Sequence, residues 1–216
     1  MRRLPVYILI DTSASMRGEP IEAVKAGLQS LLYSLRQDPD ALERVCLSII
    51  SYHSHAEQVL PLTEVYKVIL PEIETKGGSS ALGEALILLS SKYDEDVIRT
   101  TVEQKGDWKP LVFLMANSES SGPLVKPITE LKKRPFSLVV ACDVGGKAHI
   151  DVFMKITNDE VLVSSNKAEY IKSYFKWMSN IFRTPCLNRL YNNEIYLDEL
   201  PPVPQGIMVL CKNNNQ

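Results

Sequence analysis

Nowhere in these 216 residues is there a run of about 18 uninterrupted apolar residues able to span a membrane. The apolar start, Val6 to Ile10, follows Pro5 and ends at Asp11, too short for the core of a signal peptide. A soluble, cytoplasmic protein is therefore expected. Cysteine is sparse: Cys46, Cys142, Cys186 and Cys211 lie far apart with no C-x-x-C pair, which fits a reducing compartment and argues against zinc or dithiol chemistry. An excess of one charge is lacking as well. Lys plus Arg number 24 against 26 Asp plus Glu, so the net charge of -2 creates no global field for nucleic acid or an anionic membrane. There is no G-x-S-x-G elbow and no evident His-acid pair to activate Ser13 or Ser15, and no second acid beside Asp11 for a phosphohydrolase. Catalysis by Asp11 or Ser13 is thus the weaker expectation, and a non-catalytic role the stronger. Repeats and low-complexity blocks are missing too.

What is present suits a globular α/β chain. Hydrophobic residues at 45% and charged residues at 23% are ordinary values. At roughly 150 residues per domain the length suggests one domain with an appended element. Four apolar runs, Val6 to Ile10, Val45 to Tyr52, Leu111 to Met115 and Phe136 to Cys142, lack clean alternation, as strands buried on both faces do. Helical spacing links them: Ile21 to Leu35 behind Pro20, Leu82 onward towards Val97, Leu124 to Lys133, and Lys167 to about Ile181. Alternating strands and helices predict an open, mostly parallel sheet with helices on both faces, a Rossmann-like architecture whose ligands bind at the strands' carboxyl ends. From Arg183 the periodicity breaks at Asn192-Asn193, Pro201-Pro202 and Pro204. Residues 1–182 are accordingly expected to form the domain and 183–216 an extension outside its core, with Ile195 to Leu197 and Ile207 to Leu210 as the parts able to dock.

Directly after the first strand run comes Asp11-Thr12-Ser13-Ala14-Ser15, which places one carboxylate and two hydroxyls on one loop. Alternating hard oxygen ligands suit Mg²⁺, although Asp and Ser in such a place also serve as ordinary turn and capping residues. Two more oxygen-bearing loops keep it company: Gly77-Gly78-Ser79-Ser80 before a helix, and Ala116-Asn117-Ser118-Glu119 after a strand. Three such loops at one sheet edge are able to meet around one ion.

These residues resemble the von Willebrand factor A domain family and its metal-ion-dependent adhesion site, and more closely the bacterial tellurium-resistance TerY type. The resemblance rests on Leu4 to Lys25 (LPVYILIDTSASMRGEPIEAVK), Leu35 to Pro39 (LRQDP), Leu82 to Leu86 (LGEAL) and Lys105 to Pro110 (KGDWKP), and covers most of residues 1–180. It implies a metal site formed by Asp11, Ser13, Ser15, a second-loop hydroxyl and Asn117. The hydroxyl is Ser80 if Leu82-Gly83 sets the register and Ser79 if Gly77-Gly78 does. It further implies a site that captures a carboxylate of a protein partner, in a bacterial stress or tellurite-resistance system whose partners include a phosphatase and a kinase-like protein. The third loop departs from the pattern, because Ala116-Asn117-Ser118 stands where the family has Thr-Asp-Gly. Replacing a carboxylate by an amide about 5 Å from a dication forfeits roughly 7 kcal/mol of gross attraction at an effective dielectric near 20, much of it cancelled by avoided desolvation. Mg²⁺ binding is therefore expected to be weak or lost, and a degenerate, metal-independent scaffold is the rival reading. Glu119 is close enough in sequence to substitute.

Other features have plainer readings. His53 and His55 lack a third ligand and read as a loop pair beyond the second strand. Gly145-Gly146 reads as a turn. Trp108 and Trp177 read as packing residues, and Lys132-Lys133-Arg134 as a solvated helix end.

Overall fold

A computed structural model describes residues 2–117, 120–144, 150–157, 160–164, 167–182 and 200–211. Strand β1, Leu4–Asp11, is buried along its whole length. Successive side chains of a strand point to opposite faces, and here both faces are covered. Val6, Ile8 and Ile10 enter one apolar cluster, Tyr7 and Leu9 another. That double burial is why the strand runs show no alternation. β2 (Val45–Tyr52) and β4 (Leu111–Ala116) are equally buried and flank β1 in parallel, and β5 (Leu138–Val144) follows β4.

The sheet has seven strands in the order β3-β2-β1-β4-β5-β6-β7. β6, Glu160–Ser164, continues the parallel set, whereas β3 (Ala56–Glu64) and β7 (Ile207–Cys211) close the two sides antiparallel. The mostly parallel α/β sheet expected from the alternation is thus the one observed. On one face lie α1 (Glu19–Gln37) and α6 (Ala168–Ile181); on the other lie α3 (Leu82–Asp96), α4 (Val125–Leu131) and α5 (Ile150–Ile156). A short α2, Pro39–Arg44, follows α1, and Asp38 caps it by accepting the Ala41 N–H at 3.0 Å. α1 and α6 approach so closely that a Cβ on Gly27 would strike the Phe175 ring.

The expected extension requires a correction. Residues 183–199 and 212–216, including Cys186 and Ile195 to Leu197, lie outside the described residues. Residues 200–211, however, are not outside the core. Leu200 and Ile207 are buried in the α1–α6 cluster, and β7 pairs along β6 from Glu160–Cys211 to Ser164–Ile207. Trp177, almost wholly buried, donates its indole N–H to the Pro201 carbonyl at 2.7 Å. A buried indole requires such an acceptor, and the segment that breaks the periodicity supplies it. The proline-rich spacing hid a strand that packs.

Candidate functional site

Asp11 ends β1, and behind it Ala14–Met16 form one 3-10 turn. The Asp11 Oδ1 accepts the Ser13 backbone N–H at 2.8 Å, which folds the loop back over the carboxylate. Ser13 Oγ and Ser15 Oγ come within 3.0 Å of each other. Thr12 faces elsewhere: its N–H and its hydroxyl both donate to the Tyr52 carbonyl, at 2.8 and 3.1 Å. The intervening residue of the D-x-S-x-S run therefore ties β1 to β2 and leaves the two serine hydroxyls together.

The second loop is laced to the first. Lys76 N–H donates to the Thr12 carbonyl at 3.0 Å, and Ala14 N–H reaches the Gly78 carbonyl at 3.5 Å. Gly78 has φ of 78°, a conformation that favours glycine, and a Cβ there would also displace the Ser54 hydroxyl. The choice between the two serines is resolved in position. Ser79 is exposed and accepts the Ser121 hydroxyl at 3.2 Å, whereas Ser80 is 2% exposed and its Oγ has no hydrogen-bond partner among the described residues.

From the third loop, Asn117 N–H points to Asp11 Oδ2 at 3.4 Å. Its Nδ2 donates to the Ser15 carbonyl at 2.8 Å, which fixes the amide orientation because only the nitrogen end is able to donate. The Oδ1 is left buried and unpartnered among the described residues. Ser118 and Glu119 lie outside the described residues. Beyond them, Ser121 N–H donates to the Ser80 carbonyl at 2.8 Å, closing the ring of loops. Asp11, Ser13, Ser15, Ser80 and Asn117 are thus brought to one edge of the sheet.

Beneath them lies Tyr52, whose hydroxyl donates to the Met115 carbonyl at 2.7 Å. Burial first, and then the Asp11 charge, push its pKa well above the ordinary value, so it stays neutral. Two features of this edge escaped the sequence reading. Asp143, fully buried, is the penultimate residue of β5, in register with Ala116 of β4, and puts a second carboxylate near the carboxyl ends of the strands. Its position after an apolar run, like that of Asp11, was the available signal. Beside Ser80 there is also a groove of about 820 Å³ lined by Ala56, Ala81, Ile87, Leu88, Pro123 and Pro127.

The plainer readings hold where they are described. His53 and His55 occupy the turn between β2 and β3 with ring centroids 4.2 Å apart, and burial, then His55, lower the His53 pKa. Trp108 is half-buried under Arg2; of the expected solvated helix end only Lys132 and Lys133 are exposed, because Arg134 is drawn in by its pairing with Asp94. Gly145-Gly146 lies outside the described residues.

Buried, unpartnered oxygens are costly unless something meets them. A donor set of one carboxylate, three hydroxyls and one amide carbonyl suits a hard divalent cation, and the residues present fit one. Among the described residues no group of three or more His, Cys, Asp or Glu side chains offers an alternative metal site.

An open α/β sheet with oxygen-rich loops clustered at its carboxyl edge defines a class of Rossmann-like domains. Residues 6–106 match the von Willebrand factor type A domain family. Solved structures agree on the fold. Proximal thread matrix protein 1 from the mussel byssus superposes with a TM-score of 0.61 at 16% identity, over 86% of this chain and 48% of that one. The same mussel protein with a zinc-occupied MIDAS motif gives a TM-score of 0.58 at 14% identity, over 82% and 45%. A von Willebrand factor type A protein from Catenulispora acidiphila gives 0.59 at 14%, over 82% and 42%. The chain spans less than half the length of these structures. No curated protein sequence matches it significantly. Sequence over residues 6–106 and fold over most of the chain are thus both similar to a von Willebrand factor type A domain.

Proposed function

We propose that the chain is a non-catalytic protein-interaction module that uses the carboxyl-edge loops to hold a divalent cation, Mg²⁺ being the expected one. One observation carries the reading: Ser80 Oγ and Asn117 Oδ1 are buried without hydrogen-bond partners among the described residues, in the same loops as Asp11, Ser13 and Ser15. A cation held there supplies a Lewis-acid centre for a carboxylate oxygen of a partner protein. Asp11 supplies the negative charge and, through the Ser13 N–H, sets the direction of its own loop. The Ser15 carbonyl holds the Asn117 nitrogen, so that the amide oxygen is the end available to a ligand. The zinc-occupied motif of the mussel protein supports metal use at this kind of edge.

The metal-independent scaffold keeps one specific support: Asn117 replaces a carboxylate, which weakens any cation site. Ser13 Oγ engages Ser15 Oγ at 3.0 Å, which keeps the two hydroxyls together as a pair of oxygen donors and is in keeping with the non-catalytic reading. The runs Leu4 to Lys25 and Lys105 to Pro110 support a TerY-like role in a bacterial stress or tellurite-resistance system. A phosphatase or a kinase-like protein is then the expected partner, nucleic acid and membrane are not, and the place of action is the cytoplasm. No helix among the described residues is long and apolar enough to cross a membrane. Capture of partners from the source cell tests the proposal: recovery should fall with EDTA and return with Mg²⁺. A complex indifferent to both, in wild type and in Asp11→Ala, sinks the metal-assisted reading.

A further inference from the structure

The Lys105 to Pro110 run takes no part in the carboxyl-edge loops. It lies at the opposite, amino end of the sheet, where Trp108 N–H donates to the Arg3 carbonyl at 2.8 Å just before β1. There it helps to wall a cavity of about 720 Å³. Five cations line that cavity: Arg2, Arg99, Lys109, Lys133 and Arg134. They come from four separate stretches of chain, before β1, after α3, before β4 and after α4.

Two carboxylates share the wall, Asp94 and Asp107, and both are engaged. Asp107 takes the Arg3 guanidinium through both oxygens, at 3.0 and 2.7 Å, and the Ile98 N–H at 2.9 Å. Asp94 pairs with Arg134 and, at 3.5 Å, with Arg99. Arg2 is held by neutral groups: it lies 3.5 Å from the Trp108 ring centroid and donates to the carbonyls of Gly106 and Asp107 at 2.8 and 3.1 Å. Its charge is therefore positioned without being cancelled by those contacts. Lys133 pairs with Glu130 at 2.7 Å, and the Arg99 and Lys133 side chains reach into solvent, so Arg2 is the positioned charge of the set; cations still outnumber carboxylates around the hollow, and an anion entering it offsets that excess.

We propose that this cavity binds a compact polyanion of the di- or triphosphate class. Its volume falls in the range of small-molecule sites, roughly 300–1,000 Å³. Guanidinium groups match phosphate oxygens in geometry, and cations from four stretches of chain around one cavity suit a compact ligand better than an extended acidic chain. The inference is independent of the carboxyl-edge reading, since none of the lining residues belongs to those loops.

Calorimetric titration of the full chain with sodium tripolyphosphate, in EDTA and at low salt, tests it. Saturable one-site binding is expected with Kd on the order of 10–100 µM, weakening as salt is added. Arg99→Glu with Lys109→Glu should weaken it at least about tenfold, and the milder Arg99→Gln with Lys109→Gln should act in the same direction. Lys25→Glu with Lys76→Glu makes the same change in net charge on α1 and the second carboxyl-edge loop, and should stay within about twofold of wild type. The Trp108 indole resonance should shift on titration while that of Trp177 stays. No saturable binding up to millimolar tripolyphosphate overturns the proposal. Equal losses in the two charge-reversed pairs overturn it too, because they would reflect a general field instead of a site.

Discussion

Asp107 and Asp11 stand at opposite ends of β1 and are served differently. Asp107, with a side chain 3% exposed, meets the Arg3 guanidinium and the Ile98 N–H. Asp11 takes backbone N–H groups from Ser13 and Asn117, while Ser80 Oγ and Asn117 Oδ1 in the same loops lack partners among the described residues. Around Asp107 the polar groups are spent on one another; around Asp11 some are held in reserve. Buried polar atoms left in reserve lower stability, a cost that the proposed cation would offset at the Asp11 end.

The comparison is sharpened by variants that affect the two ends unequally, set against one that affects both alike. The largest effect should come from deleting residues 183–216, which strips β7, uncovers the core beside Leu200 and removes the acceptor of the Trp177 indole. A loss on the order of 5 kcal/mol is expected from the lost apolar burial and hydrogen bonding, visible in denaturant melts. An unchanged midpoint would place β7 outside the cooperative unit. Next, Asp107→Ala should cost about 1–3 kcal/mol, because it removes the bidentate partner of a guanidinium that is only partly exposed and the acceptor of the Ile98 N–H. Metal and partner binding at the other end should survive it at temperatures where the variant stays folded.

At the carboxyl edge the sign should change. Asn117→Asp is expected to tighten Mg²⁺ from a Kd on the order of millimolar by about tenfold or more, while lowering metal-free stability through repulsion with Asp11. Calorimetry with and without EDTA reads both, and no gain in affinity would remove Asn117 from the site. Ser80→Ala should weaken Mg²⁺ binding yet leave stability within about 1 kcal/mol of wild type, or raise it, because an unpartnered buried hydroxyl is removed. A clear loss of stability would mean that the hydroxyl already has a structural partner.

The smallest effect concerns pH. The hydrogen bond from Arg134, then its charge, hold Asp94 below its ordinary pKa. A carboxylate depressed in the folded state contributes stability that is fully present above its unfolded value, about 3.9, and fades as pH falls towards the folded value. Arg134→Gln should therefore flatten the stability profile below about pH 4. Asp94 is largely solvated, so the change is slight. An identical acid limb in both proteins would show that the pair is screened.

The central parallel strands were legible in sequence because burial on both faces demands continuous apolar runs, as in Val45–Tyr52. The side strands were not. β3 reads AEQVLPLTE, half-exposed with Pro61 inside it, a composition that a sheet edge tolerates and a core strand does not. β7 is short and follows Pro201, Pro202 and Pro204, so its pairing with β6 rests on contacts far away in sequence. In the candidate site, Asp11, Ser13 and Ser15 were legible because one tight loop holds all three. Ser80 against Ser79 was not, since a one-residue shift changes burial completely. Asp143 was passed over because the apolar run just before it drew attention only as a strand.

The pairing of β6 with β7 also orders events during synthesis. Chains leave the ribosome from the amino end, so β6 emerges well before the strand that covers it. During that interval its outer N–H and C=O groups form an open template, and a second nascent chain on the same message is the nearest competitor. Trp177, waiting for the Pro201 carbonyl, is equally unfinished. Slow translation between residues 165 and 206 would lengthen the exposure. Crowded polysomes are then a place where mispairing at the β6 edge is expected, with chaperone demand rising as the interval grows.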